Sequence, residues 1–153
     1  MIALHSEIHL ESFAVLQSHY QFIQPTKNPK EPQKLFKSYE IEIDFTHQSI
    51  KDKTVQVFTK IAVNHNAKPL SGYQLFVEGV AVFSLVEAEM LSESEQANLM
   101  FNSTVSILIG YLRNTLASIT ASSPLGPYLL PPINMADLFR KKSEIKANTS
   151  GSN

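Results

Sequence analysis

Apolar and polar residues alternate along much of the first half of the chain, which is the period-two pattern of half-buried β-strands. The clearest example is YEIEIDF, which places Tyr39, Ile41, Ile43 and Phe45 on one face and acidic side chains on the other. Gly79 indicates a bulge or a close backbone approach inside the last strand. Together such runs predict four strands, at residues 8–23, 39–45, 54–63 and 73–87.

The segment between the first two strands, residues 24–38, contains three prolines and four lysines. Proline lacks the N–H that a sheet ladder requires, so this segment predicts a long crossover loop. Its lysines are typical of a solvated surface.

The second half of the chain has the spacing of helices. Ser92 and Glu95 have the form of a capping box and predict a short helix. A longer helix is predicted over residues 105–123, because it would stop before Pro124. Its candidate N-caps are Asn102, Ser103 and Thr104.

The first two turns of this long helix are apolar nearly all round. Ile107, Ile109 and Tyr111 add to the usual core-facing stripe. One sheet covers only one side of a helix, so the pattern predicts that a second subunit covers the other side.

These elements predict an α+β fold: a four-stranded antiparallel sheet with a long crossover after the first strand, then a long helix and a short C-terminal helix. Asn134 is predicted to cap that last helix. Residues 1–142 are expected to form a single domain, and residues 143–153 a disordered tail.

Composition narrows the functional classes. The chain has no cysteine, which fits a reducing compartment, and its N-terminus lacks the pattern of a signal peptide. No apolar run is long enough for membrane insertion, so we expect a cytoplasmic protein. A net charge of −1 gives no field to attract nucleic acid. Charged residues are only 18% of the chain, which indicates an oligomer or an apolar binding face.

Residues for catalysis are sparse. The five histidines are scattered along predicted strands and turns, and the alternating acidic residues of YEIEIDF are best explained as the solvated face of a strand. The sequence has no glycine-rich phosphate loop and no nucleophile in a recognisable motif. We therefore predict that the protein is not an enzyme and uses no cofactor or metal.

Three segments carry a resemblance to a known family. LLPPINMADLF (129–139), SILIGYLR (106–113) and VAVFSL (80–85) resemble, in order and spacing, the last-helix, long-helix and last-strand motifs of the bacterial SecB family. The resemblance implies an ATP-independent holdase, using neither nucleotide nor metal, that keeps polypeptide clients unfolded. It also implies a homo-oligomer that is a dimer of dimers.

The resemblance further implies two sets of site residues. A client groove would be lined from the second strand and the last helix by Tyr39, Ile41, Ile43, Met135, Leu138 and Phe139. The long helix would supply the oligomer interface through Ile109, Leu112, Arg113 and Leu116.

The chain departs from export members of this family in charge. Those members are strongly acidic and bind the basic motor SecA, whereas this chain is nearly neutral and has Phe76 where the last strand of typical members offers a glutamate. We therefore expect only weak SecA binding. One alternative is a dedicated SecB-like chaperone of a toxin–antitoxin system, and a more remote one is a hot-dog enzyme of the thioesterase type.

Overall fold

The computed structural model describes residues 1–27 and 29–150, with side chains described as far as residue 148. The strands are β1 (Ile8–Ile23), β2 (Ile41–Lys51), β3 (Thr54–Val63) and β4 (Gly72–Leu85). The helices are α1 (Pro32–Phe36), α2 (Glu93–Asn98), α3 (Thr104–Thr120) and α4 (Met135–Ser150). A short 3-10 turn spans Ala88–Met90, and a π-helical turn, Leu99–Ser103, joins α2 to α3.

The four strands form one antiparallel sheet in the order β1-β4-β3-β2. Strands β2, β3 and β4 follow one another as neighbours, whereas the crossover carries the chain from β1 at one edge to β2 at the other. Both β1 and β2 therefore leave one side of their backbone without a partner strand.

Helix α3 covers one face of the sheet. Every second residue of β4 is buried, and so are the helix residues Val105, Leu108 and Leu112, which are 0% exposed. Gly79 lets the helix approach closely, because a Cβ built there would lie 2.7 Å from Cδ2 of Leu112. The predicted close approach at Gly79 is confirmed.

The helix starts agree with the sequence in part. At α2 the capping box is present: the Glu95 N–H donates to Ser92 Oγ (3.3 Å), and the Ser92 N–H donates to the Glu95 carboxylate (2.8 Å). The N-cap predicted at residues 102–104 is wrong, because the backbone remains helical there. The Thr104 hydroxyl instead donates back to the carbonyl of Met100 (2.8 Å).

The remaining differences lie at element ends. The second strand begins at Ile41 and continues to Lys51, so Tyr39 lies before it. The crossover contains α1, which begins at Pro32. Helix α4 continues through residues 143–150, where a disordered tail was expected; an Arg140–Glu144 ion pair (2.6 Å) has the spacing that supports a helix. The expectation for residues 151–153 lies outside the described residues.

Candidate functional site

An open groove with a volume of about 880 Å³ runs between the edge strand β2 and helix α4; we call it the β2–α4 groove. Ile41 and Ile43 line it from β2, and Leu138 and Ile145 line it from α4. The connector contributes residues 131–133, which include two prolines. The lining is thus more apolar than polar, and charged side chains of β2 and α4 stand among the apolar ones.

Helix α4 is attached to β2 by side chains rather than by backbone pairing. The ring of Phe139 meets that of Phe45 edge to face, with centroids 5.6 Å apart. Lys142 Nζ lies 5.4 Å from the centroid of the Phe45 ring and donates a hydrogen bond to the Asp44 carboxylate. Asp44 also accepts from the Phe45 N–H (2.9 Å) and lies 3.7 Å from Lys60 Nζ.

Most charges along the groove are paired within the protein. Burial alone would raise the pKa of Asp44, but the hydrogen bond from Lys142 and the nearby positive charges of Lys142 and Lys60 outweigh it and hold the pKa below its ordinary value. Hydrogen bonds from Lys141 and from the adjacent arginine lower the pKa of Asp137. Because these charges are neutralised locally, the groove does not require a strongly charged ligand.

The edge of β2 presents free backbone groups to this groove. The Asn64 N–H donates to the Glu40 carbonyl (2.8 Å). In this register the even-numbered residues of β2 exchange their backbone hydrogen bonds with β3. The N–H and C=O groups of Ile41 and Ile43 therefore point away from the sheet, and no hydrogen bond to them from outside β3 occurs in the described part of the chain. The N–H of Phe45 also points outward, but it already donates a hydrogen bond to the Asp44 carboxylate.

The structure brings three of the six predicted groove residues together. Ile41, Ile43 and Leu138 line the β2–α4 groove. All five of these side chains are half-buried and pack against the core, but Met135 and Phe139 do not line the groove and serve to hold α4 in place.

Tyr39 does not line the groove and is a core residue, only 6% exposed. Its hydroxyl donates to the Ser71 carbonyl (2.9 Å) and accepts from the Tyr73 N–H (2.8 Å). Gly72, at φ +102°, makes room for it, because a Cβ at that position would overlap the Tyr39 hydroxyl. The sequence pattern missed this position because β2 begins two residues later.

The predicted interface residues of α3 are also largely internal. Ile109, Leu112 and Leu116 are at most 2% exposed beneath the sheet, so none of them offers a free surface. Arg113 is half-buried and donates to the carbonyl of Pro131 (3.3 Å). The open face of α3 instead carries Gly110 and its neighbours, because the sheet and connector cover more of the helix than its periodicity indicated.

Sequence reasoning missed several groove residues. Ala62 and Phe76 lie on β3 and β4, opposite one another in register, and both line the groove. Lys142 and Ile145 come from the stretch of α4 at and beyond the expected end of the domain. The helical spacing of Leu138, Lys142 and Ile145 is the signal that could have revealed them.

The sequence matches the model of the family described as "Preprotein translocase subunit SecB" over residues 12–146, which is most of the chain. The chain belongs to the SecB family. The resemblance drawn from the motifs is therefore confirmed. No curated protein matches the chain at a significant level.

Two solved structures are similar to this chain. One is the Mycobacterium tuberculosis SecB-like chaperone Rv1957 in complex with a ChAD peptide from the Rv1956 HigA1 antitoxin. It is 15% identical, with a TM-score of 0.56, and the alignment covers 83% of this chain and 88% of that chain. Another is a protein of unknown function from Streptococcus agalactiae, 14% identical, with a TM-score of 0.40 and coverage of 82% and 97%. The SecB-like α+β fold is confirmed by the first of these.

Within residues 1–27 and 29–150, no helix reaches the length and apolar character of a membrane span. The same residues contain no group of three or more histidine or acidic side chains placed to hold a metal ion.

Proposed function

We propose that this SecB family protein is an ATP-independent chaperone that holds unfolded polypeptides in the β2–α4 groove. The observation that carries the proposal is the combination of an apolar groove with an unpaired strand edge at Ile41 and Ile43. An unfolded chain exposes both apolar side chains and unsatisfied backbone groups, and this groove can satisfy both.

The apolar walls supply affinity with little sequence preference. Each Å² of apolar surface that a client buries contributes about 25 cal/mol, whichever aliphatic or aromatic residue provides it. The groove's own charges are mostly paired, so they do not select for a particular charge pattern. This chemistry suits a protein that holds many different segments.

The β2 edge supplies backbone recognition. A client segment in extended conformation can pair with the outward N–H and C=O groups of Ile41 and Ile43, adding a fifth strand to the sheet. Alternate side chains of that segment would then point into the groove. Only the first residues of β2 are open to such pairing. The N–H of Phe45 already donates a hydrogen bond, and the Phe45 ring contacts Phe139 of α4.

We further propose that the protein is a cytoplasmic homo-oligomer without enzymatic activity. β1 is a sixteen-residue edge strand whose Val15 and Leu16 are 41% and 54% exposed, and a long uncovered edge of this kind favours self-association. Membership of the SecB family over residues 12–146 gives no support to the hot-dog thioesterase alternative.

The client class divides into two candidates, general export substrates and an antitoxin. Phe76, which lies in the groove, and the nearly neutral net charge favour a chaperone that is not tied to the export motor. The antitoxin peptide in the Rv1957 complex makes a dedicated client the second candidate for this chain.

The test is suppression of aggregation of a chemically unfolded protein, measured by light scattering without ATP. Ile41→Ala and Ile43→Ala should weaken holding, whereas Ile50→Ala, an exposed position on the same strand outside the groove, should not. Ile43→Pro should weaken holding more than Ile43→Ala, because it also removes an outward N–H while leaving the pairing with β3 intact. Wild-type protein that fails to slow aggregation at a severalfold molar excess would refute the proposal.

A further inference from the structure

The first residues of the chain form an exposed apolar segment. Residues 1–6 adopt neither helix nor strand, and the side chains of Ile2 and Leu4 are both 94% exposed. Within the described part of the chain, no hydrogen bond, ion pair or ring contact involves residues 1–5. The first hydrogen bond to a distant residue is the one that the Glu7 carbonyl accepts from the Val86 N–H (2.8 Å). Apolar side chains left open in this way are typical of a surface that binds another polypeptide, and we call residues 1–5 the apolar 1–5 segment.

The pattern of the apolar 1–5 segment is that of an extended client. In extended conformation Ile2 and Leu4 point to one side, and Met1, Ala3 and His5 point to the other. The segment contains no proline, so its backbone N–H groups can pair with a strand edge, and it carries no acidic side chain, lysine or arginine. It therefore offers alternate apolar side chains and free backbone groups together.

The β2–α4 groove offers the complementary surface. Among the described residues, the outward N–H and C=O groups of Ile41 and Ile43 have no partner from outside β3, and this open edge ends at Phe45. The stretch 41–45 has the same length as the apolar 1–5 segment. The two lysines of α4 that line the groove are paired with carboxylates, so a segment without such charges can enter without breaking an ion pair.

A chain cannot place this segment in its own groove. Ile8 pairs with Leu85, which lies level with the far end of β2, near Lys51, whereas the groove begins at Ile41. The two points are separated by the width of the sheet, about 14 Å for three strand spacings, and by about 33 Å along β2. The six residues from Ile8 back to Ile2 span at most about 22 Å. An occupant of this origin therefore comes from a second copy of the chain.

We propose that the apolar 1–5 segment of one copy adds as a strand to the β2 edge of a second copy and occupies its β2–α4 groove until a client displaces it. This inference rests on the proposed holdase function and adds a competitor that belongs to the chain itself. The segment buries its own apolar side chains and covers Ile41 and Ile43 at the same time. Copies already held in an oligomer present it at an effective concentration of about millimolar, so weak binding is sufficient.

The first experiment measures whether the groove binds the segment. The probe is a fluorescent peptide of residues 1–10, MIALHSEIHL, titrated by anisotropy against the full chain carrying Ile2→Asp and Leu4→Asp, whose own segment no longer competes. The peptide should bind, and the same peptide with both aspartates should not, because the apolar lining would leave its carboxylates unpaired. Adding Ile43→Pro to the protein should weaken peptide binding several-fold, whereas Ile50→Ala should leave it unchanged.

The second experiment measures competition in the full chain. The probe is fluorescently labelled α-lactalbumin, reduced and carboxymethylated so that it stays unfolded without denaturant. Its apparent affinity is lowered by the fraction of grooves that the segment occupies, so the variant with Ile2→Asp and Leu4→Asp should bind it several-fold more tightly than the wild type does. Met90→Asp, at an exposed apolar position outside the groove, is the matched control and should leave the affinity unchanged.

The third experiment locates the segment by cross-linking. The chain contains no cysteine, so introduced cysteines are unique. One copy carries Leu4→Cys and an affinity tag, a co-expressed copy carries Glu42→Cys in the groove, and a short bismaleimide is added. The two copies should form a tagged cross-linked pair, and excess unfolded α-lactalbumin should suppress it. Gln48→Cys, exposed on the same side of β2 but outside the groove, is the control and should not cross-link.

The outcomes separate this inference from the holdase proposal. If the wild type binds unfolded α-lactalbumin, but the 1–10 peptide does not bind and the two aspartates bring no gain in affinity, the segment is refuted as an occupant and the holdase function stands. If Leu4→Cys cross-links to Gln48→Cys as readily as to Glu42→Cys, the segment contacts another surface and the inference is also refuted. If neither the peptide nor α-lactalbumin binds, the holdase proposal itself fails.

Discussion

Lys142 on α4 donates a hydrogen bond to the carboxylate of Asp44 on β2, so one ion pair joins the two walls of the β2–α4 groove. The Lys142 side chain is 21% exposed and that of Asp44 is 47% exposed. Because Asp44 is largely open to solvent, we expect the pair to contribute only about 0.5 kcal/mol to the free energy of unfolding.

Removing this ion pair should loosen helix α4 more than it lowers the stability of the whole domain. Lys142→Ala should speed hydrogen exchange of the α4 amides several-fold while changing the melting temperature of the domain little. The matched control is Lys141→Ala, which removes an ion pair within α4 only, to Asp137 (2.8 Å). Equal exchange rates in both variants would show that the Asp44 contact does not tether the helix.

The lowered pKa of His47 predicts how the stability of the domain depends on pH. Burial lowers the pKa of His47, and the positive charges of Lys146 and Lys142 lower it further. A hydrogen bond with the Phe101 backbone raises this pKa but does not outweigh the lowering effects. Its folded-state pKa is therefore below the unfolded value of about 6.5. The contribution of neutral His47 to the free energy of unfolding is therefore complete above a pH of about 6.5. It is lost as the pH falls through the lowered pKa.

Thermal melts should accordingly show stability that falls as the pH drops below about 6.5. His47→Gln should flatten this part of the profile. A slope that persists in His47→Gln would assign the pH dependence to other groups.

Gly79 and Gly110 should respond oppositely to alanine. A Cβ at Gly79 would meet Leu112 Cδ2 at 2.7 Å and the Ala14 carbonyl at 3.3 Å, so Gly79→Ala should destabilise the domain by about 1–3 kcal/mol through overpacking. A Cβ at Gly110 meets nothing within 4 Å, so Gly110→Ala should stabilise the exposed helix by about 0.5–1 kcal/mol. Denaturant titration of both variants measures the difference.

The open face of α3 offers a test of oligomerisation. The purified protein should scatter light as a multiple of 17.1 kDa. Gly110→Arg should reduce that mass without unfolding the domain if the face around Gly110 and the 43%-exposed Tyr111 joins subunits. A charged residue at Ile109 should instead unfold the domain, because Ile109 is in the core. A monomeric wild type at micromolar concentration would refute self-association.

A substitution at Phe76 should affect client holding and SecA binding in opposite directions. Phe76→Glu puts a carboxylate beside Ala62 in the groove and should weaken holding of an apolar client. The same change should strengthen the weak binding to SecA that we expect, most clearly at low salt. A titration against SecA at two ionic strengths checks this. Tight, salt-sensitive binding by the wild type would show that other acidic residues form the docking face.

The sequence was sufficient where one local pattern determined the structure. The alternation in β3 predicted its ends at Thr54 and Val63, and the Ser92–Glu95 box predicted the start of α2. It was insufficient where burial depends on distant segments. Tyr39 has the same alternation as Ile41, and only its hydrogen bonds near Gly72, far along the chain, place it in the core.

The sheet order also has a consequence for how the chain acquires its structure during synthesis. Ile23 pairs with Gly72 and Ile8 with Leu85, so β1 has no partner strand until the ribosome reaches β4, and the first residues of β1 wait for the end of β4. The β2–β3–β4 meander needs only short loop closures and should form first, while β1 waits for contacts of high sequence separation, which slow folding. Until its last pairing is complete, a newly made chain is itself a partly folded polypeptide with an exposed strand.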